Sequence, residues 1–240
     1  MIDRLFVIGD SFTVPCRYSK GWDDSVFWIE KLGEFFNLTN DRIFVDGIAN
    51  RDIQTIIDNW IKLIPHLTDM DRVVICLPYF KRVRLPLKES HWYEPYKPYP
   101  KDIKIVNRFI GPQMLNTDMS LEFWDKDLEY DEISKMMQPQ EIINSTYSAQ
   151  LNQIEVVESL VKITPCKSFV FTWDEMENKS KSIMDKESII REIGFWQTLN
   201  DEWIETNGKI GKELDFHWGS KFNPIFGEYV FGRLKNLSYI

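Results

Sequence analysis

Apolar residues recur along the chain in two alternating patterns, short continuous runs and longer helical repeats. The continuous runs, each closed by a turn-forming or polar residue, predict buried strands at residues 5–8, 43–45, 73–77 and 168–173. Apolar positions three and four apart predict amphipathic helices at residues 25–36, 52–64, 144–163, 189–204 and 222–237. Because strands alternate with helices, we expect a parallel sheet covered on both faces, in a three-layer α/β/α domain.

One long segment, residues 81–140, departs from this alternation and interleaves prolines with aromatic residues. About 60 residues is too long for a plain connection in a compact domain. We therefore expect a single domain over residues 1–240, with residues 81–140 inserted over the carboxyl-terminal edge of the strands.

Composition and charge restrict the classes of partner. The 240 residues are 43% hydrophobic and carry a formal net charge of −8, without a cluster of Lys and Arg. A surface that binds nucleic acid needs such a cluster, so we expect no nucleic-acid partner. No apolar run approaches the roughly 18 residues of a membrane span, and the start of the chain lacks a secretory signal. The expected protein is soluble and cytoplasmic, although a phage-encoded one could also be built into a virion.

Cysteines and histidines indicate neither a disulfide framework nor a metal site. The three cysteines are widely spaced, at Cys16, Cys76 and Cys166. The three histidines are also far apart, at His66, His91 and His217. Cys76 lies within an apolar run and is predicted to be a buried thiol. Glycine-rich nucleotide-binding motifs are absent from the sequence, so the nucleotide-binding class is disfavoured and we expect no cofactor.

Gly9-Asp10-Ser11 directly follows the first predicted strand. In an open parallel sheet, ligands bind outside the carboxyl ends of the strands. Gly9 allows a tight turn there, and Ser11 is a candidate nucleophile. A nucleophilic serine needs a neighbouring base, and that base needs an orienting partner.

A candidate base and its partner stand before the last predicted helix, in Asp215-Phe216-His217-Trp218. The i, i+2 spacing can place the side chains of Asp215 and His217 on the same side of an extended segment. Asp215 would then orient His217, which would accept the Ser11 proton. In the alternative interpretation, Gly9-Asp10-Ser11 is an ordinary turn and Asp215 caps the last helix. The position of both motifs, at the exit of the first strand and the entry of the last helix, favours the catalytic interpretation.

These two blocks, residues 6–13 and 215–218, resemble the first and last motifs of the SGNH/GDSL hydrolase family. The resemblance covers most of the chain apart from the insertion. It implies a flavodoxin-like α/β/α fold, no metal, and hydrolysis of esters through an acyl-enzyme. It also implies that the backbone N–H of Ser11 helps to hold the oxyanion.

The middle blocks depart from the family pattern. Asn50, in Gly47-Ile48-Ala49-Asn50, stands where the family has the glycine that donates an N–H to the oxyanion. Asparagine tolerates left-handed backbone well, so Asn50 can supply this donor. It can equally be the cap of the helix that begins near Asp52. The family's asparagine after the third strand is absent, and Arg82 or Arg84 could replace that donor or simply be solvated.

The resemblance and the aromatic residues indicate an O-acetyl group on a carbohydrate as the substrate. An Asp-x-His spacing followed by Trp occurs in relatives that modify polysaccharide O-acetyl groups. Candidate substrate contacts are Asp10, Arg82, Trp92, Tyr93 and Trp218. Packing is the alternative role for the aromatic side chains. The competing function is a module of the same fold that binds a glycan or a protein partner without turnover.

Overall fold

The computed structural model of this chain describes residues 2–10, 13, 27–47, 52–78, 83–84, 97, 99–100, 103, 112–113, 147–172 and 222–236. Within these residues, four strands form one parallel sheet in the order β2-β1-β3-β6. Its strands are β1 (Leu5–Gly9), β2 (Ile43–Gly47), β3 (Arg72–Leu77) and β6 (Lys167–Thr172). Two short antiparallel strands, β4 (Val83–Arg84) and β5 (Pro112–Gln113), pair within the inserted segment. All four strands predicted from apolar runs are confirmed.

Four of the five predicted helices are confirmed. They are α1 (Trp28–Phe35), α2 (Ile53–Leu63), α3 (Tyr147–Ile163) and α4 (Phe222–Asn236). The predicted helix at residues 189–204 lies outside the described residues. The backbone after α1 adopts a conformation that is typical of a helix end. After α1, Asn37 adopts left-handed backbone with φ of 57°, and the N–H of Leu38 returns to the carbonyl of Gly33.

The helices cover both faces of the sheet. On one face, α1 and α4 pack against the odd-numbered apolar residues of β1 and β2. There the rings of Trp28 and Phe226 meet edge to face, with their centroids 5.2 Å apart. On the other face, α2 and α3 cover Phe6 and Ile8 of β1. Because successive side chains of a strand point to opposite faces, these continuous apolar runs supply two cores at once.

The direction of the connections reverses at β1. From β1 the chain passes to β2 on one side, and from β2 it returns past β1 to β3 on the other. Strands β1 and β3 are therefore neighbours that leave a topological switch point at their carboxyl ends. The three layers and the strand order establish the predicted three-layer α/β/α, flavodoxin-like sheet.

A partly buried ion pair lies at the opposite, amino-terminal edge of the sheet, with the Asp71 side chain fully buried and the Arg4 side chain 23% exposed. Arg4 donates from Nε and Nη2 to the two carboxylate oxygens of Asp71, at 2.8 and 2.7 Å. The Asp71 carboxylate also accepts from the backbone N–H and the hydroxyl of Thr68, at 2.7 and 3.1 Å. This arrangement holds the segment before β1 against the turn that leads into β3.

Three described residues of the insertion contact the sheet, one at the free edge of β2 and two on the face that α2 covers. The N–H of Val45 donates to the carbonyl of Lys97 at 2.8 Å. Tyr99 stacks on Phe6 and Phe44 with ring centroids 5.7 and 6.4 Å apart, and Ile103 is buried in the α2 and α3 core. The Lys97 carbonyl thereby pairs a backbone N–H that a bare edge strand would leave unpaired. The position of the insertion over the carboxyl-terminal edge of the strands stays a prediction, because most of residues 81–140 lie outside the described residues.

Candidate functional site

The motif that contains Gly9 leaves the sheet at the carboxyl end of β1, beside the switch point between β1 and β3. Gly9 is enclosed by two neighbours. A Cβ atom at residue 9 would lie 2.3 Å from Cγ2 of Thr13 and 2.7 Å from Cβ of Cys76. Real Cβ atoms do not approach other atoms so closely, so a residue with a Cβ atom does not fit at position 9 unless its neighbours move.

A short turn follows Gly9. The carbonyl oxygen of Asp10 accepts the backbone N–H of Thr13 at 3.0 Å and the Thr13 hydroxyl at 2.6 Å. Both Asp10 and Thr13 are fully buried. These bonds connect residues on either side of Ser11, so the described residues fix the two ends of the candidate nucleophile's turn.

Asp10 itself is fully buried. The expectation that Asp10 contacts the substrate stays a prediction.

The other candidate site residues lie outside the described residues. They are Ser11, Asn50, Arg82, Trp92, Tyr93, Asp215, His217 and Trp218. Of the candidate site residues, the structure describes Asp10, together with Thr13 beyond Ser11 and with Gly47 and Asp52 on either side of Asn50.

The exit of β2 is fixed by a buried hydrogen bond between the sheet and α2. The side-chain amide of Asn59 donates to the Asp46 carboxylate at 2.7 Å, and both residues are buried. Asp46 is the register partner of Ile8, so its side chain points to the face that α2 covers. This bond therefore holds the start of the loop that contains Asn50.

The end of the same loop is fixed by the N-cap of α2. The Asp52 carboxylate accepts the backbone N–H of Thr55 at 2.9 Å and the Thr55 hydroxyl at 2.6 Å. Asp52 is thus the capping residue. The alternative interpretation in which Asn50 caps this helix is wrong, because the helix begins at Ile53 and Asp52 already satisfies its first turn.

The described part of the last helix begins at Phe222. Asp215 lies outside the described residues, so its alternative role as a cap of this helix stays a prediction.

One histidine is remote from this end of the sheet. His66 is exposed in a short 3-10 helix after α2, and its carbonyl accepts a hydrogen bond from Arg4. It therefore lies at the amino-terminal edge, which β1 separates from the carboxyl-terminal edge by roughly 15 Å. His66 cannot reach the exit of β1, which leaves His91 and His217 as the candidate histidine bases.

Electrostatics at the exit of β1 and β3 suppress the ionisation of Cys76. Burial raises the pKa of the Cys76 thiol well above its usual value, and the negative charge of nearby Asp10 raises it further. Cys76 is buried, as predicted. A neutral, enclosed thiol is a packing group here and a poor nucleophile.

Among the described residues, no group of three or more His, Cys, Asp and Glu side chains is placed to hold a metal ion. None of the helices in this part of the chain combines the length and apolar character needed to cross a bilayer.

Sequence reasoning missed three residues that shape this end of the sheet: Thr13, Asp46 and Asn59. A signal existed for Thr13, because a threonine hydroxyl commonly bonds to a backbone group three or four residues away. No local signal could identify the bond between Asp46 and Asn59, since their partnership depends on how α2 packs on the sheet.

Comparison with known proteins adds one structural likeness. No protein-family model and no curated protein matches the chain. Among solved structures, the chain is similar to the crystal structure of protein YXIM_BACsu from Bacillus subtilis, with a TM-score of 0.49 and 10% identity. The alignment covers 99% of this chain and 57% of that one, so the chain spans little more than half of that protein's length. A likeness at this level carries no argument about function.

Proposed function

We propose that the protein is a serine esterase, with Ser11 as nucleophile, His217 as base and Asp215 as the residue that orients His217. The substrate class we propose is an O-acetylated carbohydrate. This function combines the sequence motifs with the geometry of the described residues around Ser11 and Asn50.

The observation that carries the proposal is the position of the turn after β1. Gly9 and Asp10 leave the sheet at the carboxyl end of a central strand, beside the switch point, where open α/β sheets bind ligands. The backbone and hydroxyl groups of Thr13 close the turn on the Asp10 carbonyl. Ser11 is the next residue after Asp10 in the chain, so we expect its hydroxyl at the end of the sheet where this fold class places its ligands.

In the proposed reaction, the Ser11 Oγ forms a bond to the carbonyl carbon of the ester while His217 takes the hydroxyl proton. The tetrahedral intermediate then releases the alcohol, which receives that proton from His217. Water gives a proton to His217 and attacks the acyl-enzyme. Collapse of the second intermediate frees the acid, and the proton returns to Ser11.

The oxyanion would be held by the backbone N–H of Ser11 and by Asn50. Two observations support Asn50 in this role. Asp52 caps α2, so Asn50 is not needed as its cap. The loop that contains Asn50 is also held at its start by the buried bond between Asp46 and Asn59. A loop held at both ends is suited to presenting a donor in a fixed position, as oxyanion stabilisation requires.

The sugar would be contacted by aromatic and cationic side chains, namely Trp92, Tyr93, Trp218 and Arg82. Flat aromatic faces suit the apolar faces of sugar rings. Asp10 remains a candidate contact beside Ser11.

The test is covalent labelling with a fluorophosphonate, read by intact mass and by peptide mapping. We expect a single adduct on Ser11, which the Ser11→Ala and His217→Ala variants lose. A variant of a distant histidine, His66→Ala, is the matched control and should label like the wild type. Hydrolysis of p-nitrophenyl acetate and of acetylated glycans then tests the acyl group.

The competing function predicts a different result. Pro78-Tyr79 follows β3 without the asparagine that the SGNH/GDSL family uses as a donor, which favours a module that binds without turnover. A well-folded wild type that gives no adduct and no hydrolysis, but retains acetylated glycan on a column, would support that module and refute the esterase.

A further inference from the structure

The side chain of Thr13 is held from two directions at the exit of β1. Its hydroxyl donates to the Asp10 carbonyl at 2.6 Å, and its own N–H donates to the same oxygen at 3.0 Å. Its methyl group occupies the space where a Cβ at residue 9 would be, 2.3 Å from that position. Thr13 has no exposed surface, so these bonds are made away from competing water.

Rotation of this side chain would break one contact or the other. Threonine has few accessible χ1 rotamers because its Cβ is branched. A rotation about χ1 would break the hydrogen bond from the Thr13 hydroxyl to the buried Asp10 carbonyl. Gly9 bounds the space beside the Thr13 methyl group. The Asp10 carbonyl is therefore held in one orientation relative to residue 13.

We propose that Thr13 is a positioning residue for Ser11, and that its hydroxyl fixes the turn from which Ser11 attacks. This inference rests on the proposed function. Thr13 does not touch the substrate; it acts through the Asp10 carbonyl, which directly precedes Ser11 in the chain. A fixed attack geometry matters because a misplacement of about 1 Å can cost a hundredfold in rate.

A purely structural role for Thr13 predicts a different pattern of effects. In that case loss of the hydroxyl lowers the free energy of unfolding while the reactivity of the folded protein stays unchanged. A positioning role predicts that the folded variant reacts more slowly at Ser11, with a lower kcat and an unchanged KM.

The test uses the full chain and four variants. Thr13→Val keeps the volume and branching and removes the hydroxyl, whereas Thr13→Ser keeps the hydroxyl and removes the methyl group. Thr13→Ala removes both and serves if Thr13→Val fails to fold. The matched control is Thr164→Val, because Thr164 also donates its hydroxyl to a backbone carbonyl from a buried site, at 2.7 Å to Leu160. Thr164 precedes β6 and therefore lies at the amino-terminal edge of the sheet, away from Ser11.

The readouts are the fluorophosphonate labelling rate at Ser11, kcat and KM for p-nitrophenyl acetate, and Tm. We expect Thr13→Val, or Thr13→Ala in its place, to label about 10- to 100-fold more slowly than the wild type. Thr13→Ser should stay near the wild-type rate. Thr164→Val should have a lower Tm than the wild type and label at the wild-type rate.

Each outcome decides the inference. Slow labelling by the folded hydroxyl-free variants, with KM unchanged, supports positioning by Thr13. Wild-type labelling rates in those variants overturn the inference and leave the esterase intact. A wild type that is not labelled at Ser11 overturns the esterase, and the positioning role with it.

Discussion

Gly9 and Cys76 lie side by side at the carboxyl ends of β1 and β3, and a Cβ atom at residue 9 would be 2.7 Å from the Cβ of Cys76. Strands in a sheet normally accommodate a side chain on every residue. Here the Thr13 methyl group comes down on the same spot, so the exit of β1 has no room for one.

Replacement of Gly9 by alanine should therefore destabilise the protein. The added methyl group would overlap both Thr13 and Cys76, and overpacking of this kind costs about 1–3 kcal/mol. Urea unfolding monitored by circular dichroism measures the change. Gly232→Ala is the matched control, because a Cβ at residue 232 in α4 meets nothing within 4 Å. That variant should keep or raise the free energy of unfolding, by up to about 1 kcal/mol. Equal stability of Gly9→Ala and the wild type would contradict the close packing.

Asp71→Asn should destabilise the protein without slowing the chemistry at Ser11. The Asp71 carboxylate is buried and accepts four hydrogen bonds from Arg4 and Thr68. Loss of the charge weakens these bonds and turns one acceptor into a donor that faces Arg4, so we expect a loss of about 1–3 kcal/mol. The labelling rate of the folded variant should be unchanged, since this cluster lies at the amino-terminal edge of the sheet.

Asp3→Asn provides the comparison for that variant. Asp3 pairs with Arg42 at 2.6 Å, but both side chains are 52% exposed. An exposed pair contributes at most about 1 kcal/mol. A loss of stability in Asp3→Asn as large as in Asp71→Asn would show that burial does not decide the strength of these pairs.

The thiols of Cys76 and Cys166 should resist alkylation in the folded protein. Burial raises the pKa of the Cys166 thiol to about 12, and the charge of Asp71 contributes to the rise; the pKa of Cys76 is also raised by burial. Since the thiolate is the reactive form, iodoacetamide at pH 8 should label both residues only after unfolding in urea. Peptide mapping measures each site, and labelling of either residue in the folded protein at the unfolded rate would contradict its burial.

The raised pKa of Cys166 also gives a sign to the pH dependence of stability. In the unfolded chain the thiol ionises near its usual value of 9.0, whereas the folded protein retains the proton to about pH 12. The folded state binds more protons in this window, so the free energy of unfolding should fall as pH rises from 9 to 12. Cys166→Ala should show a shallower fall than the wild type over the same range.

Lys97→Met should release the insertion from the edge of β2. The Lys97 ammonium lies 3.0 Å from the side-chain oxygen of Asn40 and 3.5 Å from the Glu30 carboxylate, and its side chain is 12% exposed. The N–H of Val45 is protected by the Lys97 carbonyl. Hydrogen exchange at Val45 should therefore accelerate about tenfold or more if local opening becomes easier.

Two amides test whether the opening is local. Val7 lies in the central strand β1, so its exchange should stay unchanged in Lys97→Met. Tyr99→Ala removes the ring stacked on Phe6 and Phe44 and should accelerate exchange at Val45 as well. If Val45 exchanges at the wild-type rate in both variants, the side chains of Lys97 and Tyr99 do not hold this segment in place.

The sequence by itself determined the four strands of the parallel sheet and the four helices that the structure describes. Apolar runs such as residues 5–8 and helical repeats such as residues 52–64 are local patterns, and each dictates its own secondary structure through the period of its side chains. The alternation of strands and helices also determined the layers, because every apolar face must be covered. The position of Gly9-Asp10-Ser11 after the first strand follows from the same local reading.

Only the tertiary structure decided which distant residues meet. The bond from Asn59 to Asp46 and the contact of Gly9 with Cys76 depend on how helices and strands are placed relative to one another. The same is true of Lys97, which meets β2 about 50 residues away in the chain. A pattern within one segment carries no information about such partners, since packing of the completed core selects them.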